Sequence, residues 1–358
     1  MGVPCYANVA AVRAALDVAA TPQADRDIAR AIDDASRAIE GQCNGRRFYP
    51  VAETRTMDWP DLAGVNVHSR RLWLDANEAI SISTLTVDDV AITDYRLHHK
   101  ADNGDAYRQI EMNQSGSSNF SGSTNDYQDP ISIAGVFGFT NTLGISGTLG
   151  VAVATTTETS VTLSDGSRIN VGDAIKIDDE YMIVTDVSWV DTTETLAAAL
   201  DIDSDDPTIA VADGSTYTKG ERLLIGTERL EIVDIVANNL IVARAVDAST
   251  LSAHSIGAEI YADRGRTVER GALGTTAQTH PSIASTVSYN VPPAAVSSLC
   301  IAEAEVLLAQ ERSGYARTIG SGDAEREARG AGLKEKRDTV RRRYKLKGMV
   351  YATGSPLV

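Results

Sequence analysis

An internal repeat limits the possible folds of this chain more than any other sequence feature. Residues 161–187 match residues 209–235 at an offset of 48. Glycines mark turns in each copy, and the apolar residues between them alternate as in half-buried strands. Each copy predicts a meander of about three strands, which is too small to be stable alone, so we expect the two copies to stack into one sandwich or barrel. The identical pairs are Asp165/Asp213, Gly166/Gly214, Ser167/Ser215, Gly172/Gly220, Ile177/Ile225, Glu180/Glu228 and Asp186/Asp234.

A second, shorter match has an offset of 26. Arg244 and His254 correspond to Arg270 and His280, and the segment 270–280 carries glycines suited to turns. The two histidines therefore occupy equivalent positions. We interpret them as turn histidines that each hold a loop by a hydrogen bond, and the alternative is a pair of metal ligands.

Helical periodicity appears near both ends of the chain. Ile28, Ile32, Ala35 and Ile39 form one apolar stripe, and this helix stops at glycines before residue 46. An alanine-rich helix follows Pro293, and a charged helix runs to about Lys347. The order is therefore helix, strands, helix, with no alternation of helices and strands that would indicate a parallel sheet.

These patterns predict an α+β fold. We expect a helical core built from the N- and C-terminal helices, with inserted antiparallel β-sandwich or barrel domains. The predicted divisions are the N-terminal part of the core (1–50), a first β region (51–150), a repeat-containing β domain (151–290), C-terminal helices that complete the core (291–347) and an extended tail (348–358).

The charge distribution favours a protein partner over general binding to DNA. The chain has a net charge of −16, yet residues 312–347 hold 12 basic and 5 acidic residues, a net charge of +7 that leaves −23 for the rest. Affinity for DNA comes from many cations that neutralise phosphates, and an acidic body does not provide them. A basic final helix on an acidic body suggests self-assembly or docking to an acidic partner.

Nothing in the sequence predicts a catalytic, metal or cofactor site. The three cysteines, Cys5, Cys43 and Cys300, are far apart and indicate neither a disulfide framework nor a zinc site. Glu180 and Glu228 recur with the repeat, which favours a surface turn or strand pairing over acid–base chemistry. The uncharged stretch 130–157 is rich in glycine, so we interpret it as buried strands and expect no membrane span.

A basic-aromatic turn follows the first long helix. Arg46, Arg47, Phe48 and Tyr49 precede Pro50, where the helical pattern changes to a strand pattern. We interpret these four residues as a structural corner or a subunit contact. A nucleic-acid patch, in which bases stack on the rings beside the cations, is the alternative.

Taken in order, several segments resemble the head–tail connector (adaptor) proteins of long-tailed bacteriophages. The resemblance begins in the helix and turn of residues 28–50, with Cys-Asn-Gly-Arg-Arg-Phe-Tyr-Pro at its end. It continues through residues 54–58, 72–75, 80–82 and 131–139, and the β repeat is similar to modules of phage structural proteins. The large β insertion departs from the small members of the family, which are nearly all helical.

The resemblance implies a structural virion protein without enzymatic activity. Connector proteins form a homo-oligomeric ring, commonly a dodecamer, at the head–tail neck of the virion, after assembly in the host cytoplasm. The ring binds the portal protein on one side and a stopper or tail-completion protein on the other, and DNA passes through its lumen without specific binding. The basic last helix and tail supply the candidates for portal docking: Arg341, Arg342, Arg343, Tyr344, Lys345, Lys347, Met349 and Tyr351.

Two other functions remain open from the sequence. The first is a carbohydrate- or surface-binding β-rich protein of a tail or baseplate, which requires exposed aromatic side chains on the β domain. The candidates are Tyr181, Trp189, Tyr217 and Tyr261. The second is a hydrolase that uses His254 or His280, for which the sequence offers no matching nucleophile motif.

Overall fold

In the computed structural model, the chain consists mainly of two large antiparallel sheets. The structure describes residues 2–16, 20–58, 70–74, 77–100, 104–118, 120, 129–202, 207–312, 318–319, 326–327 and 331–346. Strand outweighs helix, at 39% against 22%. The prediction of an α+β fold around a helical core of N- and C-terminal helices is therefore wrong. The chain divides into a first unit (residues 1–37 and 143–336) and a second unit (38–142 and 337–358).

Helices occupy the segments where the sequence shows helical periodicity. The Asn8 side chain accepts a hydrogen bond from Ala11 N (2.9 Å), and Thr21 Oγ1 accepts one from Ala24 N (3.2 Å), so each residue caps the helix that follows it. None of the helices among the described residues is long and apolar enough to cross a membrane. The helices in this part of the chain are α1 (Val9–Leu16), α2 (Pro22–Gln42), α3 (Ala294–Arg312) and α4 (Ala331–Tyr344).

The N-terminal segment of the first unit is hydrogen-bonded to a turn of the β region at residues 171–172, which explains why the helical-core prediction fails. Cys5 N donates to Gly172 O (2.9 Å), and Val9 N donates to Val171 O (3.1 Å). α2 and α3 do meet, through Arg30 and Glu311 (2.7 Å). An apolar stripe shows that a helix buries one face, but it does not identify the element that covers it.

The second unit contains a seven-stranded antiparallel sheet. Its order is β1-β7-β3-β6-β2, with β4 paired to β3 and β5 paired to β6. Leu85, Ile110, Ile133 and Phe137 lie in its buried core. The strands are β1 (Val51–Met57), β2 (Arg71–Trp73), β3 (Ala79–Val87), β4 (Val90–Ala91), β5 (Tyr95–Lys100), β6 (Tyr107–Met112) and β7 (Ile131–Phe137).

The first unit contains a ten-stranded antiparallel sheet. Its order is β12-β15-β14-β13-β16-β11-β10-β17-β8, and β9 pairs with β16. The strands are β8 (Leu143–Thr148), β9 (Ser160–Thr162), β10 (Ala174–Ile177), β11 (Glu180–Thr195), β12 (Thr208–Ala210), β13 (Arg222–Ile225), β14 (Glu228–Val236), β15 (Asn239–Ala243), β16 (Glu259–Ala272) and β17 (Thr286–Asn290). A separate two-stranded ladder joins β18 (Thr318–Ile319) and β19 (Arg326–Glu327).

The ten-stranded sheet contains the same strand arrangement twice, one copy inside the other. Ile175 pairs with Met182, and Leu223 pairs with Leu230, at an offset of 48. Ile183 pairs with Glu269, and Glu231 pairs with Ala243. The first residues of these two pairs are 48 apart in the sequence, and their partners are 26 apart. The two sequence offsets therefore belong to one duplication. We call residues 143–187 with 266–290 the outer module, and residues 196–262 the nested module.

Each module has its own hydrophobic core and closes its own part of the sheet. The outer core includes Leu163 and Val287, whereas the nested core includes Leu230 and Ile260. A bridge between Leu149 and Leu163 closes the outer module. The sequence predicted that the two copies stack on each other as equal partners. The structure instead inserts one module into the other. The long strand β16 runs from the nested module into the outer one, and β11 leads from the outer module to the start of the nested one.

Candidate functional site

The second unit brings the two predicted sets of site residues together. The ring of Phe48 lies 5.5 Å from the ring of Tyr344, and both rings contact Phe139, at 5.5 and 5.4 Å between centroids. All three contacts have the edge-to-face geometry that aromatic pairs favour, and all three side chains are buried. This aromatic triangle attaches the end of α4 to the turn that follows α2.

Backbone contacts strengthen the same attachment. Leu346 N donates to Cys43 O (3.2 Å), and the Asn44 side-chain amide donates to Leu346 O (2.7 Å). Asn44 and Gly45 both have left-handed backbone, with φ of 60° and 77°, which ends the helix and reverses the chain. Residues 344–346 are therefore fixed by a ring contact, by buried Leu346 and by two hydrogen bonds.

Exposed cations surround this anchored segment. Arg341, Arg342, Arg343 and Lys345 are exposed, and the Arg47 side chain is 43% exposed. Leu346 and Arg47 line one cavity, which places Arg47 beside the helix end. We call these five cations the basic patch. It lies on a chain whose net charge is −16.

The predicted docking residues differ in their availability to a partner. Tyr344 is only 3% exposed, so it anchors the patch and presents no surface, contrary to its assignment as a contact residue. The sequence signal for this burial is weak: Val340 and Tyr344 are four residues apart, which places both on one face of an otherwise charged helix. The candidates Lys347, Met349 and Tyr351 lie outside the described residues.

The basic-aromatic turn is largely an interior corner. Arg46, Phe48 and Tyr49 are buried. Arg46 donates to Glu78 Oε1 (2.6 Å), and burial lowers the pKa of its guanidinium although Glu78 opposes the shift. Arg47 is the member of this turn that retains substantial exposure, and its role in a subunit contact stays a prediction.

The Arg46 environment includes residues that the sequence did not reveal. Arg108 Nε also donates to Glu78 Oε1 (2.7 Å), and the Arg46 guanidinium lies 4.9 Å from the Phe139 ring centroid. These partners are distant from Arg46 in the sequence, and no spacing pattern links them. A buried acid between two arginines is recognisable only after the strands of the second unit are paired.

The two modules of the first unit each contain a buried Glu–Arg–His cluster. In the outer module, Arg270 donates two hydrogen bonds to Glu180 (2.8 Å each), and His280 Nε2 lies 3.0 Å from the same carboxylate. In the nested module, Glu228 has the same partners, with Arg244 at 2.8 and 3.0 Å and His254 at 2.8 Å. Both carboxylates are fully buried, so of the two predicted roles the surface turn is wrong, whereas strand pairing agrees with the Ile177–Glu180 and Ile225–Glu228 pairs.

The role of these two buried clusters is structural. Burial alone would raise the pKa of Glu180, but hydrogen bonds from Arg270, Gln278 N and Gly271 N outweigh burial and lower the pKa to about 2. A carboxylate that remains ionised and fully bonded cannot exchange protons with a substrate near neutral pH. These contacts therefore give no support to the hydrolase alternative.

The histidines hold loops, as the sequence interpretation predicts. His280 forms a two-way backbone bridge with Val153, and His254 forms the equivalent bridge with Leu200. The described part of the chain contains no group of His, Cys, Asp and Glu side chains arranged to hold a metal ion. One difference separates the modules: Asp178 contacts His280 Nδ1 (2.7 Å), whereas Gly226 occupies the equivalent nested position.

The aromatic residues of the β modules do not form an exposed stacking surface. Tyr181 and Tyr217 are 7% and 5% exposed, respectively. Trp189 is half-buried and has the Arg229 guanidinium 5.7 Å from its ring. Of the four candidates, only Tyr261 and Trp189 retain exposure, which is little for a carbohydrate-binding face.

Comparison with known proteins adds no functional assignment. No protein-family model, curated protein or solved structure matches this chain.

Proposed function

We propose that this chain is a non-enzymatic head–tail adaptor, one subunit of a ring that joins the portal to a stopper or tail protein. The observation that carries the proposal is the basic patch, whose cations project from an anchored segment of an acidic chain. The motif resemblance supplies the assembly context. The partner of this patch is an acidic surface of the portal protein.

The anchored position of the patch suits it to docking. Tyr344 and Leu346 are buried on either side of exposed Lys345, so the backbone that carries the cations is already ordered. An ordered contact segment loses less conformational entropy on binding. Complementary charge speeds association and selects the partner.

The acidic remainder of the chain supports the passage of DNA without retention. Outside residues 312–347 the net charge is −23. A lumen rich in cations would bind phosphates through counterion release and slow the DNA. An acidic ring avoids that binding, in agreement with a conduit.

Charge reversal tests the proposed docking surface. We expect a variant with Arg341→Glu, Arg342→Glu and Arg343→Glu to lose co-sedimentation with portal-containing heads. The matched control replaces the same three residues with lysine, which preserves the charge and should preserve most of the binding. Binding of the unmodified chain should also weaken as salt rises, because exposed charges are screened. Undiminished binding of the glutamate variant would contradict the proposal.

Truncation tests the contribution of the tail. Deletion of residues 348–358 should leave the chain folded, because every helix and strand that the structure describes ends before residue 348. We expect the truncated chain to lose portal binding while its circular dichroism spectrum is unchanged. Electron micrographs of the full chain mixed with portals should show a ring on the portal, and the absence of any ring would contradict the adaptor role.

A further inference from the structure

We infer that the second unit binds a carboxylate group in a cavity of about 320 Å³ beside Arg46. Arg46, Arg47 and Arg55 line this cavity together with Glu53 and Glu78. The inference depends on the cavity alone and is independent of portal binding. The cavity shares Arg47 with the basic patch, but its buried donor, Arg46, is not part of that patch.

The first observation is an unpaired buried donor. The Arg46 side chain is 2% exposed, and its Nη2 donates to Glu78. Its Nε–H, however, is buried without an acceptor among the described residues. Buried donors are almost always hydrogen-bonded, because an unpaired one keeps its desolvation cost. Arg46 lines the cavity, so a ligand oxygen there would lie next to this side chain.

The second observation is a local excess of positive charge. Among the described residues, the four guanidiniums of Arg46, Arg47, Arg55 and Arg108 form ion pairs with two carboxylates, those of Glu53 and Glu78. Arg46 and Glu78 are both buried, so solvent screens their charges poorly. An anion in the cavity would compensate for this excess.

The third observation is that the guanidiniums are held in place before any ligand binds. Arg46 stacks on Phe139, and Arg55 stacks on Phe137 with its guanidinium carbon 4.3 Å from the ring centroid. Arg55 Nη1 also donates to Asn77 Oδ1 (2.9 Å). Planar guanidiniums fixed in this way match the two oxygens of a carboxylate.

The acids in the cavity favour a carboxylate over a phosphate. A doubly charged phosphate would experience repulsion from Glu53 and Glu78 at once, whereas a singly charged carboxylate experiences less. The volume is also sufficient for an aspartate or glutamate side chain of another protein, since ligand sites begin at about 300 Å³. The expected ligand is thus an acidic side chain or a chain terminus.

Nuclear magnetic resonance of arginine Nε–H groups tests the inference directly. Acetate is the probe, titrated at constant ionic strength against chloride, and Arg46→Lys identifies the Arg46 resonance by its loss. We expect that resonance to shift saturably with acetate and not with chloride. Arg47→Ala should weaken acetate binding about tenfold, as expected for one charge-assisted hydrogen bond. The control Arg342→Ala, a residue that does not line the cavity, should bind as the unmodified chain does.

Three results would overturn the inference. The first is an Arg46 resonance that does not move with acetate, and the second is an equal shift with chloride. The third is equal acetate affinity in Arg47→Ala and Arg342→Ala. Tighter binding of inorganic phosphate than of acetate would overturn the carboxylate assignment. If Arg46→Lys does not fold, the Arg47→Ala and Arg342→Ala titrations still decide, because both substitutions replace exposed side chains.

Discussion

At the scale of single residues, the two modules form the same turn with different side chains. Asp247 and Leu273 are equivalent and both have left-handed backbone, with φ of 55° and 53°. The next residue is Ala248 in the nested module (φ 55°) and Gly274 in the outer module (φ 79°). Left-handed backbone is unfavourable for alanine and acceptable for glycine, so the nested turn carries strain that the outer turn avoids.

The reciprocal substitutions at residues 248 and 274 should have opposite effects on the free energy of unfolding. We expect Ala248→Gly to stabilise the chain and Gly274→Ala to destabilise it, each by about 1 kcal/mol in the free energy of unfolding. Both positions are exposed, so packing does not contribute. Urea denaturation of the two variants measures the effect, and shifts of the midpoint in the same direction would contradict the explanation.

The buried carboxylate of Glu180 makes stability depend on pH. Its pKa in the folded chain is about 2, against an ordinary value of 4.5. A carboxyl whose pKa is lowered by folding adds stability above its unfolded pKa and loses that contribution as pH falls. The contribution of Glu180 should therefore disappear between about pH 4.5 and pH 2.

Glu180→Gln should remove part of this acid sensitivity. The variant should be less stable than the unmodified chain at pH 7, by about 2–4 kcal/mol, because it leaves Arg270 buried without its charge partner. The difference should narrow as pH falls from 4.5 towards 2. Thermal unfolding across this range checks the prediction, and a constant difference between the two chains would contradict it.

At the scale of elements, α4 depends on one aromatic anchor. Most of its described side chains are exposed, whereas Val340 and Tyr344 are buried. The helix thus has a narrow apolar face, and isolated helices of this length are marginal in water. Contact of Tyr344 with Phe48 and Phe139 therefore accounts for much of the order at its C-terminal end.

Removal of the anchor ring should release this end of α4. We expect Tyr344→Ala to cost about 3 kcal/mol or more and to accelerate amide hydrogen exchange in residues 340–346. Tyr344→Phe is the matched control, because it keeps the ring contacts and should leave exchange unchanged. Equal protection in the alanine variant would show that Leu346 and the Cys43 contact are sufficient.

At the scale of the whole chain, the insertion of one module into another determines the topology of the first unit. β16 runs from the nested module into the outer one, β11 leads from the outer module to the start of the nested one, and Ser188 pairs with Gly265 between the two modules. The two hydrophobic cores share no residue. The outer module should therefore not need the nested module in order to fold.

Deletion of the nested module tests this independence. Replacement of residues 189–264 by an Asn-Gly turn would join Ser188 to Gly265 in a two-residue hairpin. We expect the shortened chain to fold cooperatively and to retain the dispersed amide resonances of the outer strands. A molten or aggregated product would show that the outer core requires its insertion.

The sequence by itself determined the local features. The repeat, the apolar stripe of α2 and the loop-holding role of His254 and His280 all follow from patterns within a few residues. The sequence also showed both offsets, 48 and 26, although it did not show that they are one duplication. Local patterns are readable because periodicity and turn residues report which faces are buried and where the chain reverses.

Only the tertiary structure decided which elements meet. It overturned the helical core, placed Tyr344 inside an aromatic triangle, and brought Arg46 and Arg108 from separate segments to the same carboxylate, that of Glu78. It also showed that one module is inserted into the other. Contacts between distant residues depend on strand pairing and on the shape of the packed faces, and a single sequence contains no periodic signal for either.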